Sequence, residues 1–263
     1  MAVIVIDPGD GGTRIVGGSS PNNATGPAGT KEKTLALAVG LAARTALTAR
    51  GYTVFTTRTS DVNLGLAARA HVARDHRASA FVSIHLNASD RHTAQGTETW
   101  LHTSHSARSK RLADRVQARV LAVTKWRDRG VKAKGLGVLS PNSHDPQTAC
   151  CLVEVSFLDR ADEEQKLLTP DYQNAVASAI GDAVDDRPQS RLRRALRLFR
   201  LPVLGLWPAR RRPAAGAVDN RIGVDSAGHT CAEERLTGKR NHIGGTRRVW
   251  EQIDRPTVFW VEQ

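Results

Sequence analysis

The sequence predicts an α/β fold in which helices cover both faces of a mostly parallel, twisted sheet. Three apolar runs of strand length alternate with longer segments of helical periodicity, and this alternation is typical of a three-layer architecture. The runs, at residues 3–6, 80–84 and 149–158, each contain or precede polar residues that a plain core strand would not have. Because ligands bind at the carboxyl ends of strands in open α/β sheets, we expect these polar residues to meet there.

The first half of the chain is predicted to form three strands and two helices. The first strand leads into a loop over residues 9–29 that is rich in Gly and Asn, and loops of this length are usually functional or disordered. A helix then begins near Thr30, a suitable N-cap, and ends at Gly51. The remaining elements of this half are a strand at 52–56, a helix at 61–77 and a strand at 78–85.

The second half continues the same alternation up to residue 184. A strand is predicted at 96–102, and it is followed by a helix at 106–126 that carries apolar residues on one stripe and Arg and Lys opposite. Short apolar runs at 138–139 and 149–158 supply the last strands. Helices at 163–168 and 170–184 complete the predicted fold.

Composition limits the class of protein. The chain has 263 residues, and a hydrophobic content of 40% suits a buried core. Of its three cysteines, Cys150 and Cys151 are adjacent in a predicted core strand, which argues for packing and against a disulfide framework. We see no secretory signal and no membrane-spanning segment in the sequence.

Four residues have the chemistry of a hydrolytic metal site. Such a site needs three ligands from His, Asp or Glu, an open position for water and a nearby base. Asp10, Glu32, His85 and Glu154 offer this set, and three of them follow or interrupt predicted strands. We therefore predict that Asp10, His85 and Glu154 converge at the mouth of the sheet, with Glu32 brought close by the long loop.

Each of the four residues also has a structural explanation. Asp10 lies between glycines, where a short carboxylate satisfies turn amides, and Glu32 lies in the first turn of a helix, where the helix dipole favours it. His85 would be a satisfied core histidine. Glu154 would be neutralised by an arginine, with Arg58 and Arg129 as candidates.

Seven motifs in a fixed order carry a family resemblance. They are IVIDPGDGG, Glu32-Lys33, Thr57-Arg58 with Asp61 and Arg69, SIHLN, GTETW, DRGVK and LVEVSF. Together, over roughly residues 2–184, the chain resembles the zinc-dependent N-acetylmuramoyl-L-alanine amidases of the type 3 family.

This resemblance implies a three-layer α/β domain that hydrolyses the amide between N-acetylmuramic acid and the L-alanine of the peptidoglycan stem peptide. It also implies that Zn²⁺ is held by position 10, Glu32 and His85, and that Glu154 is the catalytic acid and base. We add Asn87 and Arg129 as candidate substrate contacts.

The sequence departs from the family pattern at one ligand, because Asp10 stands where the family has histidine. Aspartate is an accepted zinc ligand, but it adds a negative charge that weakens the metal as a Lewis acid. Two hypotheses stay open: an active amidase, or an impaired relative that binds peptidoglycan or regulates its hydrolysis. His102, His105 and His144 are candidates to replace the missing histidine, and their spacing does not select among them.

Residues 188–263 are predicted to form a basic extension to a catalytic domain at 1–187. The net charge is +12, and most of the excess of Lys and Arg lies beyond residue 187. Segment 190–213 interleaves Arg with Leu, Phe and Trp, which fits either an element that binds anionic membrane or wall polymer or a solvated, poorly ordered extension. It lacks any recognisable nucleic-acid-binding motif, so we expect no nucleic-acid partner. We expect a monomer that acts on the bacterial cell wall by an export route that the sequence leaves open.

Overall fold

The computed structural model describes residues 1–89 and 92–185. These residues form a six-stranded sheet in the order β2-β1-β3-β6-β4-β5. The strands are β1 (Val3–Pro8), β2 (Thr53–Thr56), β3 (Ala80–Asn87), β4 (Thr97–Leu101), β5 (Asp128–Ala133) and β6 (Ala149–Phe157). The helices are α1 (Glu32–Thr48), α2 (Leu66–Asp75), α3 (Ala107–Thr124), α4 (Ala161–Leu167) and α5 (Pro170–Val184).

The sheet is mostly parallel, as the sequence predicts. Strands β2, β1, β3 and β6 pair in parallel, and β4 pairs antiparallel with β6 and parallel with β5. The carboxyl ends of β1, β3 and β6 therefore lie side by side. This arrangement brings the polar residues that follow or interrupt the three apolar runs to one edge of the sheet.

Both faces of the sheet are buried, which confirms the three-layer architecture. Helices α1, α3 and α5 pack against one face, and α2 with a short 3₁₀ helix (Gly137–Leu139) packs against the other. Side chains alternate between the faces along each strand. Cys151 accordingly lies in the first core and Cys150 in the second, and both thiols are free and buried.

The prediction differs from the structure in two elements, and the reasons are local. Residues 138–139 belong to the 3₁₀ helix and not to a strand, since Val138 and Leu139 are buried as part of a tight turn in which Leu139 N donates to Leu136 O. Strand β5 is missing from the prediction because its sequence, DRGVKA, is charged and contains glycine. As an edge strand, β5 pairs with β4 alone among the described strands and needs no apolar run.

Two helices begin later than predicted. Helix α2 begins at Leu66, because residues before it are held by the long loop: Asp61 accepts a bond from Gly12 N and Leu66 N donates to Gly17 O. Helix α1 begins at Glu32 and lacks the predicted Thr30 cap. No helix within the described ranges is both long and apolar enough to span a membrane. The predicted basic extension at 188–263 lies outside the described residues.

Candidate metal and catalytic site

Three predicted ligands converge in the structure. One donor atom each from Asp10, Glu32 and His85 lies within 4.8 Å of the other two. Asp10 follows β1, Glu32 begins α1 and His85 lies near the end of β3. Residues far apart in the chain are thus brought together by the parallel pairing of β1 with β3 and by the folding of the long loop onto α1.

Asp10 is buried, and its carboxylate is held by Asn23. Its backbone is in the left-handed region, with φ of 53°, which Asp tolerates better than most residues. Its carboxylate accepts two hydrogen bonds from Asn23, from the backbone N to Oδ2 at 2.9 Å and from Nδ2 to Oδ1 at 3.0 Å. Burial and the nearby charge of Glu32 raise the pKa of Asp10 to about 7, against the opposing effects of His85 and Asn23.

Glu32 does not act as a helix cap. Its Oε2 accepts from Ala24 N at 2.9 Å, and its Oε1 accepts from Leu86 N at 3.1 Å and lies 2.8 Å from His85 Nδ1. Burial raises the pKa of Glu32, but the charge and hydrogen bond of His85, together with the two backbone amides, outweigh burial and hold the pKa below its usual value. Glu32 is therefore a buried, charged group at the floor of the site.

His85 presents Nδ1 to the Glu32 carboxylate. A Cβ atom added to Gly9 would overlap the imidazole near Nε2, so the glycine that precedes Asp10 allows the ring to lie against the loop backbone. Burial lowers the pKa of His85, but Glu32, Glu154 and Asp10 outweigh this effect and raise it to about 10. Protonated His85 therefore carries a positive charge among these carboxylates. A bound metal cation would supply that charge instead.

Glu154 lies next to this cluster and is not neutralised by an arginine. It is paired in register with His85 across β3 and β6, and its buried Oε2 has no hydrogen-bond partner among residues 1–89 and 92–185. Arg58 binds the carbonyl oxygens of Pro8 and Gly9 instead. Burial raises the pKa of Glu154 to about 8, with His85 opposing and the other carboxylates reinforcing the shift.

A cavity of about 270 Å³ joins these groups. Asp10, His85 and Glu154 line it, together with Asn23 and the 3₁₀ helix. Glu154 and two members of the ligand cluster, Asp10 and His85, therefore face a common space.

The two predicted substrate contacts, Asn87 and Arg129, meet at a residue that the sequence analysis left without a role. Glu98 in β4 accepts from Asn87 Nδ2 at 2.9 Å and from Arg129 Nε at 2.6 Å, and Lys132 Nζ lies 2.6 Å from the same carboxylate. Glu98 pairs in register with Glu154 across β4 and β6. The Arg129 side chain is 28% exposed, so it remains accessible while its guanidinium is oriented.

The three alternative histidines lie elsewhere. His102, His105 and His144 line a separate cavity of about 240 Å³, and none of them belongs to the ligand cluster found among the described residues. His144 is buried, and its Nε2 lies 2.8 Å from Val138 O. Burial lowers its pKa, the hydrogen bond to Val138 opposing, which keeps this imidazole neutral beneath the 3₁₀ helix.

The sequence analysis also assigned no role to Arg69, a buried residue of α2. Its guanidinium forms an ion pair with Asp7 at 2.8 Å and donates at 2.8 Å to the backbone oxygen of Asp10. Asp7 also accepts from Ser83 Oγ at 2.7 Å, so it belongs to a buried polar network. The signal for this role in the sequence was the place of Arg69 in one of the seven motifs.

The donor set fits a divalent metal ion. Two carboxylates and one imidazole are accepted ligands of Zn²⁺, and their donor atoms lie within 4.8 Å of one another. Burial, reinforced by the charge of Glu32, raises the pKa of Asp10, and a bound cation would offset both effects. The amides that orient the carboxylates are the kind of outer contact that supports metal ligands.

The chain is similar in sequence to known amidases. The sequence profile described as N-acetylmuramoyl-L-alanine amidase matches residues 4–186. The chain is 33% identical over 180 residues to the N-acetylmuramoyl-L-alanine amidase LytC of Bacillus subtilis. The aligned region covers 68% of this chain and 34% of LytC. It thus spans about a third of that relative. A sporulation-specific N-acetylmuramoyl-L-alanine amidase of the same organism is 31% identical, with 70% of this chain and 68% of the relative covered.

Solved structures show the same fold. The crystal structure of an N-acetylmuramoyl-L-alanine amidase from Clostridium difficile 630 superposes with a TM-score of 0.63 at 32% identity, covering 70% of this chain and 94% of that one. The catalytic domain of CwlV from Bacillus (Paenibacillus) polymyxa gives a TM-score of 0.62 at 32% identity, covering 70% and 96%. With the profile matching more than half of its residues, the chain belongs to the N-acetylmuramoyl-L-alanine amidase family.

Proposed function

We propose that this protein is a zinc-dependent peptidoglycan hydrolase that cleaves the amide between N-acetylmuramic acid and the L-alanine of the stem peptide. The observation that carries the proposal is the tight cluster of Asp10, Glu32 and His85 beside Glu154, whose buried Oε2 has no partner among the described residues and which lines one cavity with Asp10 and His85. The amidase names of the relatives support the same reaction. The substrate is peptidoglycan, so the site of action is the cell wall.

Asp10, Glu32 and His85 would hold the metal ion. Zinc, when bound, supplies Lewis acidity for water activation and for polarisation of the scissile carbonyl. Glu32 is fixed by two backbone amides and Asp10 by the two donors of Asn23, so neither carboxylate has to reorganise. His85 would contribute Nδ1, the ring nitrogen that already faces Glu32.

Glu154 would carry the proton during hydrolysis. Its buried position raises its pKa to about 8, close to the operating pH of a general acid or base. Its carboxylate would take a proton from the attacking water and then deliver it to the departing alanine nitrogen. The absence of any neutralising arginine among the described residues leaves Glu154 free to change its protonation state.

Asn87 and Arg129 would contact the substrate beside Glu154. Glu98 of β4, the strand next to β6, binds both side chains. Arg129 also lies over the ring of Phe157, with 4.9 Å between its guanidinium carbon and the ring centroid. A guanidinium held in this way is suited to a carboxylate or carbonyl of the stem peptide. Segment 190–213, which lies outside the described residues, remains a proposed contact with anionic membrane or wall polymer.

A second candidate function rests on Asp10. Replacement of the family's histidine by aspartate makes the ligand set more negative, and a metal held by it is a weaker Lewis acid. A protein with such a site would bind peptidoglycan or regulate its hydrolysis without cleaving it. It would bind muropeptides and release no product.

The proposal is tested by Glu154→Gln. We expect release of L-alanine-terminated peptide from purified peptidoglycan, identified by mass spectrometry, to fall by about 10²- to 10⁴-fold, because the proton carrier is lost. Zinc content should stay at the wild-type level, whereas Glu32→Ala and His85→Ala should lose the metal.

Asp114→Asn, which changes an exposed carboxylate on α3, is the control and should cleave normally. A wild-type protein that releases no product while binding muropeptides would favour the second candidate function. Full activity in the Glu154 variant would exclude the proposed mechanism.

A further inference from the structure

The loop segment Asn23-Ala24 holds both carboxylates of the proposed metal site. Asn23 N donates to Asp10 Oδ2 at 2.9 Å, and the next amide, Ala24 N, donates to Glu32 Oε2 at 2.9 Å. Asn23 Nδ2 adds a third bond, to Asp10 Oδ1 at 3.0 Å. Two consecutive residues therefore set the distance between Asp10 and Glu32.

The donors of Asn23 are matched to a carboxylate at position 10. Both Asn23 groups that bond to the Asp10 carboxylate are N–H donors, and an ionised carboxylate accepts hydrogen bonds through both of its oxygens. An imidazole that binds a metal through one nitrogen carries a proton on the other and needs an acceptor there. A histidine at position 10 would therefore face the Asn23 donors with a further donor.

The rest of the loop keeps Asn23 in this place. Asn22 Oδ1 accepts from Lys33 N, and Asn22 Nδ2 donates to Ala24 O at 2.8 Å, which ties the segment to the start of α1. On the opposite side, Arg69 fixes the backbone oxygen of Asp10. Asp10 and Asn23 thus meet as two anchored partners.

We propose that Asn23 is a positioning residue that makes Asp10 a working metal ligand, so that this loop is built for aspartate and would not function better with histidine. The inference rests on the proposed metal site and deepens it. In this view Asp10 is an adapted ligand. Asn23 orients it by donating hydrogen bonds to its carboxylate, just as an acceptor would orient a histidine ligand by binding its N–H.

Zinc affinity of the full-length chain, measured by competition with a chromogenic chelator, tests the role of Asn23. Asn23→Ala should weaken zinc binding by about tenfold or more, the usual effect of removing an outer contact of a metal ligand. Asn22→Ala is the matched control, because it removes side-chain bonds from the same loop but none to a ligand carboxylate. Equal losses in the two variants would show that loop order alone matters, and would overturn the proposal.

A rescue experiment tests the matching itself. Asp10→His should weaken zinc binding by about tenfold or more, and adding Asn23→Asp, which supplies an acceptor for the imidazole N–H, should recover most of that loss. Adding Asn22→Asp to Asp10→His should recover none of it. Asp10→His that binds zinc as tightly as the wild type would overturn the inference.

The outcomes separate this inference from the proposed function. A wild-type protein without measurable zinc affinity would remove the metal site itself. Wild-type zinc binding that is unchanged by Asn23→Ala would leave the metal site in place and remove only the role of Asn23. Circular dichroism and the Tm of each metal-free variant establish that the proteins compared are equally folded.

Discussion

Arg69 uses every N–H donor of its guanidinium group to hold the loop that carries Asp10. Nε donates to Leu64 O, Nη1 to Asp7 Oδ1 and Pro8 O, and Nη2 to Asp10 O and Asn63 Oδ1, all between 2.8 and 2.9 Å. The side chain is 1% exposed. A planar fork with five donors is the one side chain that satisfies such a set of acceptors.

Arg69→Lys should therefore be strongly destabilising although the charge is kept. An ammonium group has three donors at a single point, so it leaves buried acceptors of the network unpaired, at a cost of about 1 to 3 kcal/mol each. We expect the free energy of unfolding in urea to fall by about 3 kcal/mol or more. Arg74→Lys, at an exposed ion pair on the same helix, should change it by less than about 0.5 kcal/mol. Similar values for the two variants would show that the fork geometry is unimportant.

At the residue scale, the sequence was informative wherever a polar group interrupted an apolar pattern. Asp10, His85 and Glu154 were found in this way, and the structure brings them together. Asn23 and Glu98 were missed because their roles depend on hydrogen bonds to residues distant in the chain. An asparagine in a loop and a glutamate in a short strand give no local pattern that distinguishes these roles from ordinary solvation.

An ion cluster joins β4, the neighbour of β6, to the edge strand β5. Glu98 of β4 is 3% exposed and binds Arg129 and Lys132 of β5, each at 2.6 Å. Trp100 Nε1 donates to the same carboxylate at 3.1 Å. The cluster fixes the register of an edge strand that has few apolar contacts, and it orients the proposed substrate contacts.

Glu98→Gln should lower stability at neutral pH, and the loss should shrink in acid. Burial raises the pKa of Glu98, but Lys132 and Arg129 outweigh burial and lower the pKa below the ordinary value of 4.5. A lowered native-state pKa stabilises the fold above pH 4.5, and this contribution disappears as the pH falls through the native-state pKa. Urea unfolding at pH 7 should show a loss of about 1 to 3 kcal/mol.

As the pH falls from 4.5 to 3, the difference in the free energy of unfolding between the wild type and the Glu98→Gln variant should shrink. Asp114→Asn, which breaks the exposed ion pair between Lys110 and Asp114, serves as the control and should cost less than about 0.5 kcal/mol at either pH. A loss in the Glu98 variant that is independent of pH would show that its charge does not stabilise the cluster.

At the element scale, buried strands were predictable and the edge strand was not. Strands β1, β3 and β6 are flanked on both sides, so their sequences are apolar and stand out. Strand β5 carries Asp128, Arg129 and Lys132, and its pairing is decided by ion pairs with β4. The run at 138–139 has strand-like composition, but its two residues are buried by a turn that packs against α2.

The whole molecule is organised around a sheet whose two faces are covered by described elements. Leu35, Leu112 and Ile180 from three helices are buried on one face, and Ala73 of α2 with Val138 covers part of the other. Helix α5 remains buried through Val184. This packing supports the proposal that residues 1–187 fold without the basic extension.

A shortened chain of residues 1–187 should therefore keep its fold, its zinc binding and its cleavage of peptidoglycan. Its free energy of unfolding in urea should equal that of the full chain within about 0.5 kcal/mol, because the core elements are all retained. Binding to vesicles that contain anionic lipid, measured by co-sedimentation, should fall if residues 190–213 are the proposed contact. Loss of cooperative unfolding in the shortened chain would refute the domain boundary.

The two edge strands of the sheet are poorly suited to pairing with another chain. Within the described ranges its edges are β2, which has four residues, and β5, which carries charges and Gly130 with φ of 76°. Short or charged edges are poor templates for strand addition by another chain. At high local concentration, neighbouring molecules should therefore stay separate instead of growing into fibrils through their backbones.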